Sequence, residues 1–164
     1  MALIHFQTAT TPAMKSVARY LQTDYVLIVD PNGEILMPAH RISIDTLTLS
    51  FSPNEHVLMG FDAYTNAERW ECRQFTLPSV DQEAALICIE PFDEHGIGVG
   101  GIEPLQYTFS ERTALLLIKL GEGRVFTRIR CLSCAVCGLG ANDELLEIWV
   151  EGLNFDRRKN RAYL

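Results

Sequence analysis

Between Tyr25 and Phe155 the chain runs in short apolar stretches, each about one strand long, broken by Gly, Pro, Asn and Asp. No helical pattern long enough to serve as a crossover lies between them, which excludes a parallel α/β architecture. Strand candidates are Tyr25–Val29, Glu34–Met37, His56–Phe61, Arg69–Phe75, Ala84–Ile89, Ala114–Leu120, Arg124–Ala135 and Leu145–Phe155. Asp30-Pro31-Asn32-Gly33 reads as a turn joining the first two into a hairpin, and Gly121-Glu122-Gly123 as a tight hairpin further on. Arg41 to Phe51 alternates strictly but changes phase: Ile42 and Ile44 are followed by Leu47, Leu49 and Phe51. Keeping both sets in one core calls for an extra residue near Asp45-Thr46, as in a β-bulge or sharp bend. Ahead of the strands, Thr11-Pro12 with Ala13, Met14, Val17, Ala18 and Leu21 has helical spacing and a start signal, so a short N-terminal helix is expected.

These signals predict a mainly β protein: one small β-barrel over residues 24–155, with an N-terminal extension over 1–23, a long loop over 90–112 and a basic tail over 156–164. The sequence contains 164 residues, 48% of them hydrophobic, which suits one packed core, and no internal repeat is evident in it. Its net charge of −7 argues against general nucleic-acid binding, which needs clustered cations. Those cations appear only in Arg157-Arg158-Lys159-Asn160-Arg161. No stretch reaches the roughly 18 uninterrupted apolar residues of a membrane-spanning helix. The first fifteen residues lack a secretory pattern, and the five cysteines are an odd number, so a cytoplasmic location with reduced thiols is expected.

Three groups of residues invite chemistry. Cys131, Cys134 and Cys137, followed by Gly138-Leu139-Gly140, resemble half of a zinc knuckle and offer three thiolates, with Cys72, Cys88 or a histidine as the fourth ligand. The opposing reading is that of buried or strand-end thiols. Gly96–Gly101 lacks the Lys-Ser/Thr of a phosphate loop, and Glu90, Asp93, Glu94 and His95 form a weak acidic cluster in which a cation competes with simple solvation. There is no nucleophile elbow, no HExxH and no catalytic-cysteine signature, and His5, His40, His56 and His95 are scattered singly. Binding is therefore expected, not catalysis.

The arrangement of residues 25–51 and of the last fifty residues resembles the PilZ domain, a bacterial β-barrel that serves as a cyclic di-GMP receptor or as a non-binding adaptor in pilus and motility control. Arg41-Ile42-Ser43-Ile44-Asp45-Thr46 stands where that family has D/N-x-S-x-x-G, with Ser43 the one match, and Val150-Glu151-Gly152-Leu153-Asn154-Phe155 resembles its closing strand before a C-terminal helix. The family's RxxxR would fall near Arg19, but its second position here is Thr23. The resemblance implies an adaptor that meets a protein partner through a sheet face, the 90–112 loop or the basic C-terminus. A second reading implies a receptor holding cyclic di-GMP with Arg157, Arg158 and Arg161 together with Arg41 and Ser43, across a homodimer. A third is the zinc-stabilised domain.

Overall fold

The computed structural model describes residues 4–31, 39–93, 97–99 and 104–156. Within them the chain forms sixteen strands and one 3-10 turn at Ala67–Arg69, and no α-helix. After β1 (Phe6–Thr8), a first sheet takes β2 (Val17–Leu21), β3 (Val26–Asp30), β4 (His40–Ile44), β5 (Leu47–Phe51) and β6 (Leu58–Tyr64). The chain then crosses over for β7 (Glu71–Cys72) and β8 (Gln82–Glu83), lays β9 (Leu86–Cys88) against β1, and returns for β10 (Ile97–Val99). A second sheet takes β11 (Gln106–Ser110), β12 (Leu115–Lys119), β13 (Thr127–Leu132), β14 (Ala135–Leu139) and β15 (Leu145–Val150), and β16 (Asn154–Asp156) crosses back to the first.

Two seven-stranded sheets result, ordered β10-β4-β5-β6-β3-β2-β16 and β7-β11-β12-β15-β14-β13-β8. Neither closes on itself, so the expected barrel is replaced by a sandwich with a small third sheet of β1 and β9. Strict alternation explains the packing: Ala18, Tyr20, Leu27, Val29, Ile42, Leu49 and Phe61 are buried on one side, Leu116, Ile118, Ile129, Cys137, Ile148 and Val150 on the other, and they form one continuous core. Each large side chain fully removed from water there contributes about 1.5–3 kcal/mol.

The fold repeats itself where the sequence shows no repeat. The antiparallel part of each sheet has the order first, second, fifth, fourth, third in chain sequence: β2-β3-β6-β5-β4 and β11-β12-β15-β14-β13. An offset of 89 residues carries Val17–Leu21 onto Gln106–Ser110 and Val26–Asp30 onto Leu115–Lys119. Left-handed backbone, uncommon for residues with a Cβ, recurs at matching turns: Tyr25 (φ 55°) and Ala114 (φ 52°), then His56 (φ 56°) and Asp143 (φ 61°). The register also slips at the same place in each unit, between Ser50 and Phe51 and between Gly138 and Leu139. The exits match too: Tyr64 donates its N–H to the Thr46 carbonyl (3.1 Å) and Glu151 to that of Cys134 (2.8 Å). Past its fifth strand each unit sends a short strand to the other, β7 parallel to β11 and β16 parallel to β2.

Several sequence expectations are corrected. Val17–Leu21, expected in a helix, is strand β2; its buried residues are Ala18 and Tyr20, period two, because pairing with β3 and β16 sets the conformation. The phase change at Asp45-Thr46 is the turn of the β4–β5 hairpin, with Asp45 at φ 53°, and not a bulge. Strand β3 pairs with β2 and β6, so the hairpin proposed from Asp30–Gly33 does not organise it, and residues 34–37 lie outside the described residues. Gly121–Gly123 joins β12 and β13, which are not neighbours. Arg124–Ala135 contains β13 and the turn into β14, and the 90–112 loop contains β10 and β11. The expected C-terminal helix is not found among the described residues, which end in strand β16 at Asp156; residues 157–164 lie outside them.

The outer faces of the two sheets differ. Residues 73–81 run as a strap across the second sheet from β11 to β13: Arg73 donates its N–H to the Phe109 carbonyl (3.1 Å), Gln74 Oε1 accepts from Ser110 (3.0 Å), and Asp81 donates its N–H to the Arg128 carbonyl (2.8 Å). Phe75 sets its edge on Trp149 with ring centroids 5.6 Å apart, and Leu77 and Val80 complete a small outer core with Leu115 and Val136. A double-mutant cycle on Phe75 and Trp149, read by urea unfolding, should return a coupling of about 0.5–1.5 kcal/mol, the usual worth of an aromatic pair beyond its buried area.

Candidate functional site

The outer face of the first sheet carries a groove of about 240 Å³ lined by Val26, Ile28, Asp30, Arg41, Ser50 and Asp62. Register places these side chains. Reading across the strands, Arg41 stands opposite Ser50 and Ser50 opposite Gly60, while Ser43, Thr48, Asp62 and Ile28 form the neighbouring row. Alternation turns all of them away from the core. The corresponding row of the second unit is Arg128, Gly138 and Glu147. There Glu147 lies flat over Gly138, where an added Cβ would meet Glu147 Cγ at 2.3 Å, and takes the Arg128 guanidinium (3.3 Å) and the Trp149 indole N–H. In the first unit glycine stands in place of that glutamate.

Around the groove the charges alternate. Arg19 lies 3.5 Å from Asp30, which is itself buried, and Arg41 faces Asp62 from two strands away. Partial desolvation pushes the Asp62 carboxyl above its ordinary value and Arg41 pulls it partway back, so its negative charge gains from any further cation brought to the rim. On the same face Tyr64, opposite Val26, is 66% exposed and Val17, opposite Asp30, is 40% exposed, an aromatic and an aliphatic side chain beside a charged floor.

Two residues singled out from sequence, Arg41 and Ser43, lie on this face; Ser43 is exposed and its Oγ is 3.4 Å from Thr48 Oγ1. Arg157, Arg158 and Arg161 lie outside the described residues. Asp62, Asp30 and Tyr64 were missed, because their importance depends on which strands are neighbours.

The three clustered cysteines are parted by the β13–β14 hairpin. Cys131 and Cys137 are fully buried with their sulfurs 3.2 Å apart, whereas Cys134 sits at the turn with its sulfur 2.9 Å from Ser16 Oγ. Among the described residues no three His, Cys, Asp or Glu side chains gather as a metal site. Of the loop cluster, Glu90 binds His5 Nδ1 at 2.5 Å, and Glu94 and His95 lie outside the described residues. Two histidines that look isolated in sequence do meet, His40 and His56 having centroids 5.2 Å apart with Phe92 against both. A second, broader cleft of about 480 Å³ lies beside Trp70 and Tyr107, whose rings stack 6.0 Å apart. No protein-family model matches this sequence, and no curated protein is similar to it. No helix among the described residues is long and apolar enough to cross a membrane.

Burial raises the Cys88 thiol from 9.0 to about 11, and contact with Cys131 together with burial holds the Cys137 thiol well above its ordinary value. Both thiols keep their protons longer in the folded chain than in the unfolded one. Stability is therefore full below pH 9.0 and is lost as pH rises toward about 11. Equilibrium unfolding across this range should show that fall, and Cys88→Ala should flatten part of it. At neutral pH an alkylating reagent should modify exposed Cys72 first and leave Cys88, Cys131 and Cys137 untouched until unfolding, as peptide mass mapping would show.

Proposed function

We propose that this chain is a non-catalytic binding module that acts by contacting another protein through the outer face of its first sheet. The observation that carries this reading is the difference between two equivalent faces. One is closed by the chain's own strap, and the other presents Tyr64 and Val17 with Arg19, Asp30, Arg41 and Asp62. Aromatic side chains mixed with arginine are the composition of interface centres, where a rigid ring gives contact area at little entropic cost. Catalysis would ask for a nucleophile and base held within hydrogen-bond reach, and the groove offers instead paired charges and hydroxyls suited to recognition.

The test is affinity capture with the chain as bait, with a photo-crosslinking residue at position 64. A partner should be recovered reproducibly and crosslinked there, and Tyr64→Ala or Arg19→Ala should weaken it about tenfold, the scale of a moderate hot spot. Failure to enrich any protein, or capture untouched by both substitutions, would overturn the assignment of this face. Cyclic di-GMP supplies the competing arm: saturable calorimetric binding abolished by Arg41→Ala would make the groove a nucleotide site.

A further inference from the structure

Of the residues singled out in the sequence, two cysteines have no part in the binding face. Cys131 and Cys137 are fully buried on the inner side of the β13–β14 hairpin, with their sulfurs 3.2 Å apart. Register brings them together. Cys137 stands opposite Ile129, and Cys131 is the extra residue where the pairing slips between Arg130 and Leu132. A bulge of this kind re-aims a side chain. Here Cys131 points inward and meets Cys137, while Cys134 goes to the turn and meets Ser16.

The other unit shows that the core does not require thiols at these positions. Ile42 faces Leu49 as Ile129 faces Cys137, and two residues further along Ile44 holds the place of Cys131. Ile44 and Leu49 are buried aliphatics of the same core. The second unit therefore has a pair of thiols where its counterpart has a pair of hydrocarbon side chains, both exchanged together. One buried thiol acts as a small apolar group. Two whose sulfurs touch can also form a bond: a disulfide has an S–S length of about 2.05 Å, so closure asks for a movement of about 1.2 Å.

We propose that Cys131 and Cys137 are a redox dithiol that hydrogen peroxide converts into a disulfide within the folded chain. One sulfur, as its thiolate, attacks a peroxide oxygen; the O–O bond breaks, a sulfenic acid forms and the first water leaves. The second sulfur then attacks the first; the S–S bond forms, the S–O bond breaks and a second water carries off the remaining proton. Two thiols and one peroxide give one disulfide and two waters, the peroxide taking the two electrons. The oxidant also has a way in. Strand β13 lies next to the end of its sheet, and its outer neighbour β8 pairs with it at two positions. Such short edge pairing opens locally, and a transient parting admits a molecule little larger than water while keeping out a bulkier alkylating reagent. The bond ties β13, to which Asp81 fastens the strap at Arg128, to β14 in the body of the sheet.

The test uses the full-length chain carrying Cys72→Ser, which removes the exposed thiol. After peroxide treatment of the native protein, followed by unfolding, alkylation and trypsin, the peptide that begins at Cys131 should carry the label on Cys134 alone and be lighter than its reduced form by about 2 Da before labelling, the mass of two hydrogens. Reductant should restore both thiols, and Cys131→Ala or Cys137→Ala should abolish the change. The decisive measurement is made on a chain that keeps both cysteines, so a variant that does not fold leaves it intact. The oxidised chain should unfold at a urea concentration about 1 M higher, the scale for closing a loop from residue 131 to residue 137. Two free thiols after treatment, single cysteines carrying added oxygens, a link through Cys88 or Cys134 or between two chains, or a bond formed only once urea has unfolded the protein would each overturn the proposal. An unchanged or lowered urea midpoint would remove the stapling role.

Discussion

Everything in this molecule depends on one exchange: each five-stranded unit closes an edge of the other. An antiparallel sheet with one apolar face has two needs, a cover for that face and partners for its outermost N–H and C=O groups. Here the two inner faces cover one another, and the crossing segments that the sandwich requires become edge strands, β7 on the second sheet and β16 on the first. The crossings also seal the seam. Tyr20 meets Trp70 at 5.1 Å and Phe155 at 5.4 Å, its hydroxyl donates to the Thr65 carbonyl and accepts from the Ala67 N–H, and Phe109 closes on Phe155 from the other unit. Neither unit would keep this cluster without the other.

Because the repeat lives in register and not in identity, it was invisible to the sequence. An inward position asks only for an apolar side chain of suitable volume, so Leu27 corresponds to Leu116, Val29 to Ile118 and Leu49 to Cys137. What recurs is the backbone: two left-handed turn residues, one slipped register, one exit hydrogen bond. Tyr25, His56, Ala114 and Asp143 share no chemistry that would mark them as equivalents in a linear reading.

The strands themselves were largely readable, since Ile42, Ile44, Leu47, Leu49 and Phe51 announce alternation whatever their partners. The N-terminal error has a physical cause. Ala13, Met14, Val17, Ala18 and Leu21 satisfy a period of 3.6, but Met14 is held by a bridge to Leu132 and residues 17–21 by two neighbouring strands, and tertiary pairing outweighs a propensity signal of a few tenths of a kcal/mol per residue. The barrel expectation failed for a related reason, as a list of strands contains no information on closure. The site was legible only in part. Arg41 and Ser43 drew notice through a pattern, yet the residues that share their rows, Gly60 and Asp62, stand two strands away.

That glycine shows how two copies of one topology come to do different work. With Glu147 filling its row, the second face has a flat, neutralised surface in which Arg128 is satisfied and Trp149 can accept Phe75. In the first unit Gly60 stands in the place of that glutamate, Arg41 faces Asp62, and a carboxylate stands where the indole would be. The inward halves of the strands are constrained by the shared core and stay alike in character. The outward halves carry no such constraint, and there the two units differ: one face is closed by the strap and the other carries the groove.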